Sequence, residues 1–185
     1  RMCKPDFLLN VALNKSKEIT AAFAGEILDT HKEGCAYVKD HAMFKCEQRF
    51  DIVIASNSGY PLDQNLYQTV KGMSAASKVV KKDGHIIMVS ECADGFPDHG
   101  KFAEIFKMAD TPQGILELIH NPNFKEVDQW QVQKQASIQT FANVHVYSEL
   151  TDQQLKDSML IPTSNIEHTI QELEHRYGRK LTIGV

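Results

Sequence analysis

The stretch "HIIMV", His85 to Val89, places four apolar side chains in succession with no polar alternation. Successive side chains of a strand point to opposite faces, so such a run needs cover on both. A parallel sheet between helix layers meets that need, whereas a sheet with one solvated face does not. The sequence before it agrees. Phe50 to Ala55 is another apolar run of strand type, and Gln64 to Val80 has helical spacing, with Lys81, Lys82 and Gly84 read as the signals that close the helix. Strand, helix and strand in this order form a βαβ unit with a right-handed crossover.

The same pattern extends through the chain. Phe7 to Leu13 reads as an early strand, and apolar residues at 19, 23, 27 and 28 predict a helix that starts at Ser16. Beyond Val89, helices are predicted near 101–108, 112–120 and 128–140, a strand at Val144–Tyr147, and helices at Thr151–Asp157 and Ser164–Tyr177. "SMLIP" adds a short strand and Leu181–Val185 a last one. The expected fold class is α/β, an open doubly wound, mostly parallel, Rossmann-like sheet flanked by helices. With 185 residues, 42% of them hydrophobic, the chain is expected to form one α/β domain over 1–185. It starts on Arg1 and stops in "KLTIGV", which reads as a strand just begun, so a piece of a longer protein is expected.

Charge narrows the partners. A formal charge of −4, with lysines spread among carboxylates, gives no basic field for nucleic acid or an anionic membrane. No apolar run approaches the roughly 20 residues that cross a bilayer, and a cytoplasmic location is expected. Cys3, Cys35, Cys46 and Cys92 form no CxxC pair and read as reduced, mostly buried thiols. Cys35, His41 and Cys46 lack a fourth nearby ligand, so no metal site is expected.

Ligands of open α/β sheets bind beyond the carboxyl ends of the strands. Two polar loops occupy such positions, "SNSGYPLDQN" after Ala55 and "SECADGFPDHG" after Val89. On the helix after the first loop, Leu66, Val70, Met73 and Ser77 make a packing stripe, while Gln64, Tyr67, Gln68 and Lys71 make a polar one. An amide, a phenol and an ammonium together suit an oxyanion or a carboxylate, although a solvated helix face has the same composition. Asp94, Asp98 and His99 can be read as an acid/base set or as turn chemistry. Trp130, in "VDQWQVQKQ", is a core plug or a pocket wall. No GxGxxG, GxxxxGK[ST] or GxSxG motif is present.

Taken with their order and separation, "SNSGYPLDQNLYQTVKGMSAA", "ECADGF" and "DQWQVQ" resemble the C-terminal domain of the nickel-dependent lactate racemase family. The likeness starts at "DFLLNVALN" and covers essentially the whole chain. "DGFPDHG" departs from the glycine-rich form such proteins have after "DG". The resemblance implies an isomerase that inverts C2 of a 2-hydroxy acid by removing and returning hydride on a nickel-pincer mononucleotide. The lysine that tethers that cofactor, the histidine that ligates nickel and the proton-transferring histidines are implied to lie in an N-terminal domain, the partner across the cleft. For this chain the resemblance implies that Gln68, Lys71 and Trp130 line the active site, with Tyr67 and Lys71 facing the cofactor, and that the chain alone is inactive. Two other classes stay open: a noncatalytic α/β module that binds a cofactor or partner, and a hydrolase using Asp94 or Asp98 with His99.

Overall fold

A computed structural model describes residues 5–97 and 100–185. Asp98, His99 and Cys3, singled out above, lie outside the described residues. Where the sequence reading expects one domain over 1–185, the structure has two compact units, one ending at Glu47 and the other Gln48–Val185.

The first unit is a hairpin with a helix. Strands β1 (Leu8–Leu13) and β2 (Ile19–Gly25) pair antiparallel, and α1 (Ile27–Ala42) follows. The helix predicted from Ser16 is therefore a strand up to Gly25. Asn14 decides this, because its Oδ1 accepts from the amides of Ser16 and Glu18, both at 2.9 Å, while Lys17 adopts φ 63°. That turn reverses the chain, and Ala21 and Phe23 then share the inward face of β2, while Ile19, before an irregularity in the register, is exposed. The helix start belongs to Glu26, whose carboxylate accepts from Leu28 N at 2.8 Å and Asp29 N at 3.1 Å. Phe23 packs towards Gly34, where a Cβ would meet the ring at 3.4 Å, and Tyr37 stands edge-on to it.

The second unit is a five-stranded parallel sheet. Its strands are β3 (Phe50–Ser56), β4 (Val80–Val89), β5 (Asn143–Tyr147), β6 (Ile161–Pro162) and β7 (Ile183–Gly184), in spatial order β6-β5-β4-β3-β7. The chain steps outward from β3 to β6, then returns to the far side of β3. With right-handed crossovers, that reversal puts helices on both faces. α2 (Leu66–Ala76), α3 (Phe102–Phe106), α4 (Pro112–His120), α5 (Gln129–Gln139) and α6 (Asp152–Asp157) contribute to the larger core, with Val53, Ile86, Met88, Val144 and Val146 of the sheet. α7 (Ile166–Tyr177) covers the other face, where Leu173 and Leu181 meet Ile52 and Ile87. Ile52, Ile86, Ile87 and Met88 are fully buried, as the "HIIMV" run requires.

Lys81, Lys82 and Gly84 do not end a helix. α2 stops at Ala76 and they lie in β4. Between two registered pairs, Phe50 with Val80 and Ile52 with His85, β4 runs ahead of β3 in a bulge that includes Asp83 at φ 61°. Gly84 comes so close to β3 that a Cβ there would sit 2.8 Å from the Asp51 carbonyl. The cysteine expectation also changes: Cys92 is buried, but Cys35 and Cys46 are exposed.

Two buried polar groups brace the sheet. Asp51 accepts from Lys81 Nζ at 2.9 Å, from Arg179 Nη2 at 2.8 Å and Nη1 at 3.1 Å, and from Thr182 N at 2.9 Å and Oγ1 at 2.7 Å. The Arg179 guanidinium, joined by Lys81 and Thr182, holds its carboxyl well below the usual carboxylate range. Asp51→Asn is expected to lower unfolding free energy by about 2 kcal/mol, read by urea denaturation, because the two cations are half-exposed and recover hydration.

Under α7, His85 Nδ1 lies 3.0 Å from His145 Nε2, and His85 Nε2 lies 3.1 Å from the Tyr177 hydroxyl. Burial, then the neighbouring His85, then Arg176 push His145 down to about 4 from 6.5. Below pH 6.5 the unfolded chain therefore takes up a proton that the folded chain refuses until about pH 4. Stability is expected to fall across that window by roughly 2–3 kcal/mol from this site. Denaturation midpoints at several pH values check it, and His145→Asn should flatten the slope.

Candidate active site

The loop from Asn57 to Asn65 spends most of its polar groups on holding α2. Asn57 Nδ2 donates to the Leu62 carbonyl at 3.0 Å and the Gln68 carbonyl at 2.5 Å. Asn65 caps the helix, its Oδ1 accepting from Gln68 N at 3.1 Å. Ser58 at φ 67° and Gly59 at φ 75° make the bend. The loop after β4 is sewn to the first one: Cys92 N donates to the Asp63 carbonyl, Asp94 N to the Gln64 carbonyl and Leu66 N to the Gly95 carbonyl, all between 2.8 and 3.2 Å. Glu91 N adds a bond to Asp63 Oδ2 at 3.2 Å. Below, Thr69, Ser90 and Cys92 form a buried cluster in which the two hydroxyls are 2.6 Å apart. Burial, offset in part by Ser90 and Thr69, raises the Cys92 thiol, so it stays protonated.

On α2, Leu66, Val70 and Met73 are fully buried, as the packing stripe predicts. Gln64 precedes the helix, so the polar stripe consists of Tyr67, Gln68 and Lys71. Lys71 Nζ donates to Gln68 Oε1 at 2.5 Å, leaving the ammonium's other protons and the Gln68 amide hydrogens for a ligand. Among the described residues no carboxylate contacts either side chain. Tyr67 is half-buried, its ring edge-on to Trp130 at 5.8 Å and to Phe102 at 5.7 Å between centroids. Burial first, and the charge of Asp128 second, raise its phenol, so it is a hydrogen-bond donor at neutral pH.

Trp130 opens α5 and is 48% exposed, which makes it a wall of this surface and not a core plug. Asp128, at φ 67°, sets the chain's entry to α5, and Gln131 Nε2 donates to the Tyr67 carbonyl at 2.6 Å, tying α5 to α2. The structure thus brings Tyr67, Gln68, Lys71 and Trp130 onto one surface from two helices. Sequence reasoning missed Lys134, whose Nζ lies 5.5 Å from the Trp130 ring centre. Its i, i+4 spacing from Trp130 was the available signal. Asp94 is engaged through its backbone in joining the loops. A separate cavity of about 430 Å³ opens beyond the carboxyl ends of β3, β4 and β5, lined by Asp63, Glu91 and Glu149 among others. Among the described residues no group of three or more His, Cys, Asp or Glu side chains is placed to hold a metal ion. The Lys71–Gln68 pair fits the anionic part of a cofactor or substrate.

Comparison with known proteins identifies the family. Residues 46–185 match the family model described as the lactate racemase C-terminal domain. This chain belongs to the lactate racemase family. It is 36% identical over 182 residues to a lactate racemase of Lactiplantibacillus plantarum, covering 97% of this chain and 42% of that protein. A lactate racemase of Thermoanaerobacterium thermosaccharolyticum is 37% identical over 171 residues, 91% of this chain and 40% of that one. The apoprotein structure of the latter organism's lactate racemase superposes with a TM-score of 0.86 at 35% identity, over 97% of this chain and 43% of that one. A Thermotoga maritima protein with a TM-score of 0.61 and 12% identity shares the fold alone. The chain spans about two-fifths of the length of the lactate racemases it matches.

Within this family member, Gly72 makes the site possible. A Cβ there would collide with the Asn57 side-chain oxygen and the Met88 methyl, so the loop can bind α2 only where the helix has no side chain. Gly72→Ala gains about 1 kcal/mol of helix propensity. The Met88 methyl ends a flexible side chain, but Asn57 is held by its bonds to the Leu62 and Gln68 carbonyls, so overpacking against it outweighs the gain and a net loss of about 1–2 kcal/mol is expected in thermal or chemical unfolding.

Proposed function

We propose that this chain forms one wall of the active site of a lactate-type 2-hydroxy-acid racemase or epimerase, an isomerase whose other wall is an N-terminal domain of the full-length protein. The observation that carries the reading is the Lys71–Gln68 pair, which meets no carboxylate among the described residues and stands beside the Tyr67–Trp130 contact, in a chain of the lactate racemase family.

Lys71 pairs its ammonium with the substrate carboxylate, and the bond to Gln68 fixes where that charge stands. Gln68 turns its amide hydrogens towards an oxygen of the same substrate. Tyr67, kept protonated by burial, donates towards the cofactor side of the cleft, where Lys71 also faces. Trp130 packs against the substrate side chain and keeps water from the ketone-like species formed at C2. A nickel-pincer mononucleotide, when bound to the full-length protein, supplies the hydride acceptor and donor that C2 inversion needs. No step of tethering or nickel ligation falls to this chain, which on this reading is inactive by itself. Among the described residues no helix is long and apolar enough to cross a membrane, in keeping with an enzyme for small polar acids.

Single-enantiomer 2-hydroxy acids, incubated with the cofactor-loaded full-length protein and resolved by chiral chromatography, test the reading. The opposite enantiomer is expected with the unmutated protein, and Lys71→Ala is expected to cut the rate by about 10²-fold or more with nickel content and melting temperature unchanged. Equal rates for both proteins, or no inversion across a panel of such acids, would overturn it.

A further inference from the structure

α2 and α5 lie side by side, and both run against the direction of the parallel strands. Their outer stripes repeat the same interval. On one, Tyr67, Lys71 and Ser74 stand at steps of four and three, with Lys78 in the turn just beyond; on the other, Trp130, Lys134 and Ser137 do the same, with Phe141 just beyond. Residues at these steps share one face of a helix, so the stripes run together from the Tyr67–Trp130 contact to the far ends of both helices. There a cleft of about 600 Å³ opens, lined by Arg49, Lys78 and Lys134, by Ser74 and Ser137, and by Phe141.

The cleft gathers cations in a chain whose net charge is −4. Several other cations of this unit meet carboxylates, Lys81 and Arg179 at Asp51, Lys101 at Glu104, Lys156 at Asp152 and Lys180 at Glu174, whereas those of the cleft, like Lys71, meet none among the described residues. Arg49, Lys78 and Lys134 come from three different segments, converge on one cleft and, among the described residues, pair with no carboxylate. Arg49 is already ordered, since its Nη1 donates to the Val80 carbonyl at 2.8 Å and its guanidinium lies 5.8 Å from the Phe141 ring centre. Among the described residues the side-chain hydroxyls of Ser74 and Ser137 make no protein hydrogen bond. Two helix C-termini nearby contribute about half a negative charge each. Three full positive charges exceed that.

We propose that this cleft binds the phosphate group of a small phosphorylated molecule. A phosphomonoester is a dianion with three terminal oxygens, enough acceptors for three cations and two hydroxyls, where a single carboxylate has two. The bounded volume and the chain's acidic remainder disfavour a nucleic-acid backbone. The phosphate belongs either to a free phosphorylated metabolite or to a mononucleotide whose reactive end reaches the Lys71 surface. The cleft's own residues carry the argument for a phosphate, and only the mononucleotide source rests on the racemase reading.

Calorimetric titration of inorganic phosphate and pyrophosphate into the full-length protein, with and without its cofactor, tests the site. Binding is expected at millimolar or tighter concentration, weaker as salt rises, and about tenfold weaker in each of Lys78→Ala and Arg49→Gln. Binding that survives cofactor loading assigns the site to a free phosphorylated molecule; binding that vanishes on loading assigns it to the mononucleotide. No binding up to about 10 mM overturns the proposal, as does binding that is untouched by Lys78→Ala in a protein that melts normally. Because the readout is binding, failure here leaves inversion at C2 unaffected, and the reverse also holds.

Discussion

The sheet of the second unit depends on one carboxylate. β3 has β4 on one side and β7 on the other, and these neighbours are far apart in sequence. Asp51, at the start of β3, binds Lys81 from β4 and Arg179 and Thr182 from the segment that leads into β7. A hydrophobic layer can cover the two strands without choosing their register. Five hydrogen bonds to one buried carboxylate choose it, because the Lys81 bond is lost if β4 slides by a residue and the Arg179 and Thr182 bonds are lost if the segment leading into β7 does. The reversal of strand order that gives the sheet two helical faces is thereby pinned at its N-terminal edge.

At the opposite edge the equivalent task falls to loops. Asp63, Gln64 and Gly95 supply carbonyls to amides across the gap, and Asn57 and Asn65 use their side chains on α2. These groups fix the first turn of α2, and with it the direction in which Tyr67, Gln68 and Lys71 project. Gly72 allows the approach. A small displacement of Asn57 would therefore be felt at Lys71, one helical turn beyond the carbonyl that Asn57 holds.

Most of the sheet was legible because its signal is local. An unbroken apolar run such as Ile86–Val89 has few other uses, and α4 was read at its observed bounds because Thr111, Pro112 and the terminal His120 mark both ends. The failures came where a distant or a single polar group outweighed periodicity. Residues 19, 23 and 27 satisfy a helical interval, yet one side chain, Asn14, makes the reversal that turns the first two into a strand and leaves only 27 in the helix. Lys81 and Lys82 look like a helix end until Asp51, 30 residues earlier, draws the first of them into β4. The polar stripe of α2 was visible from spacing alone. That Trp130 stands on the same surface was implied by the family resemblance and not by spacing, because nothing in an interval of 63 residues says that α5 packs beside α2.

The charges at the two ends of this architecture also explain why the free anion-binding groups lie on helix faces and not at the strand ends, where open α/β sheets usually take ligands. The cavity beyond β3, β4 and β5 is lined by Asp63, Glu91 and Glu149, and a carboxylate ligand there would face like charges. The loops around it have committed their donors to one another. Donors that remain, the Lys71 ammonium and the Gln68 amide, are carried by α2, whose position those loops enforce. Rigidity and availability are thus divided between neighbouring segments: the loops give up their hydrogen-bonding capacity so that a helix can present its own in a fixed place.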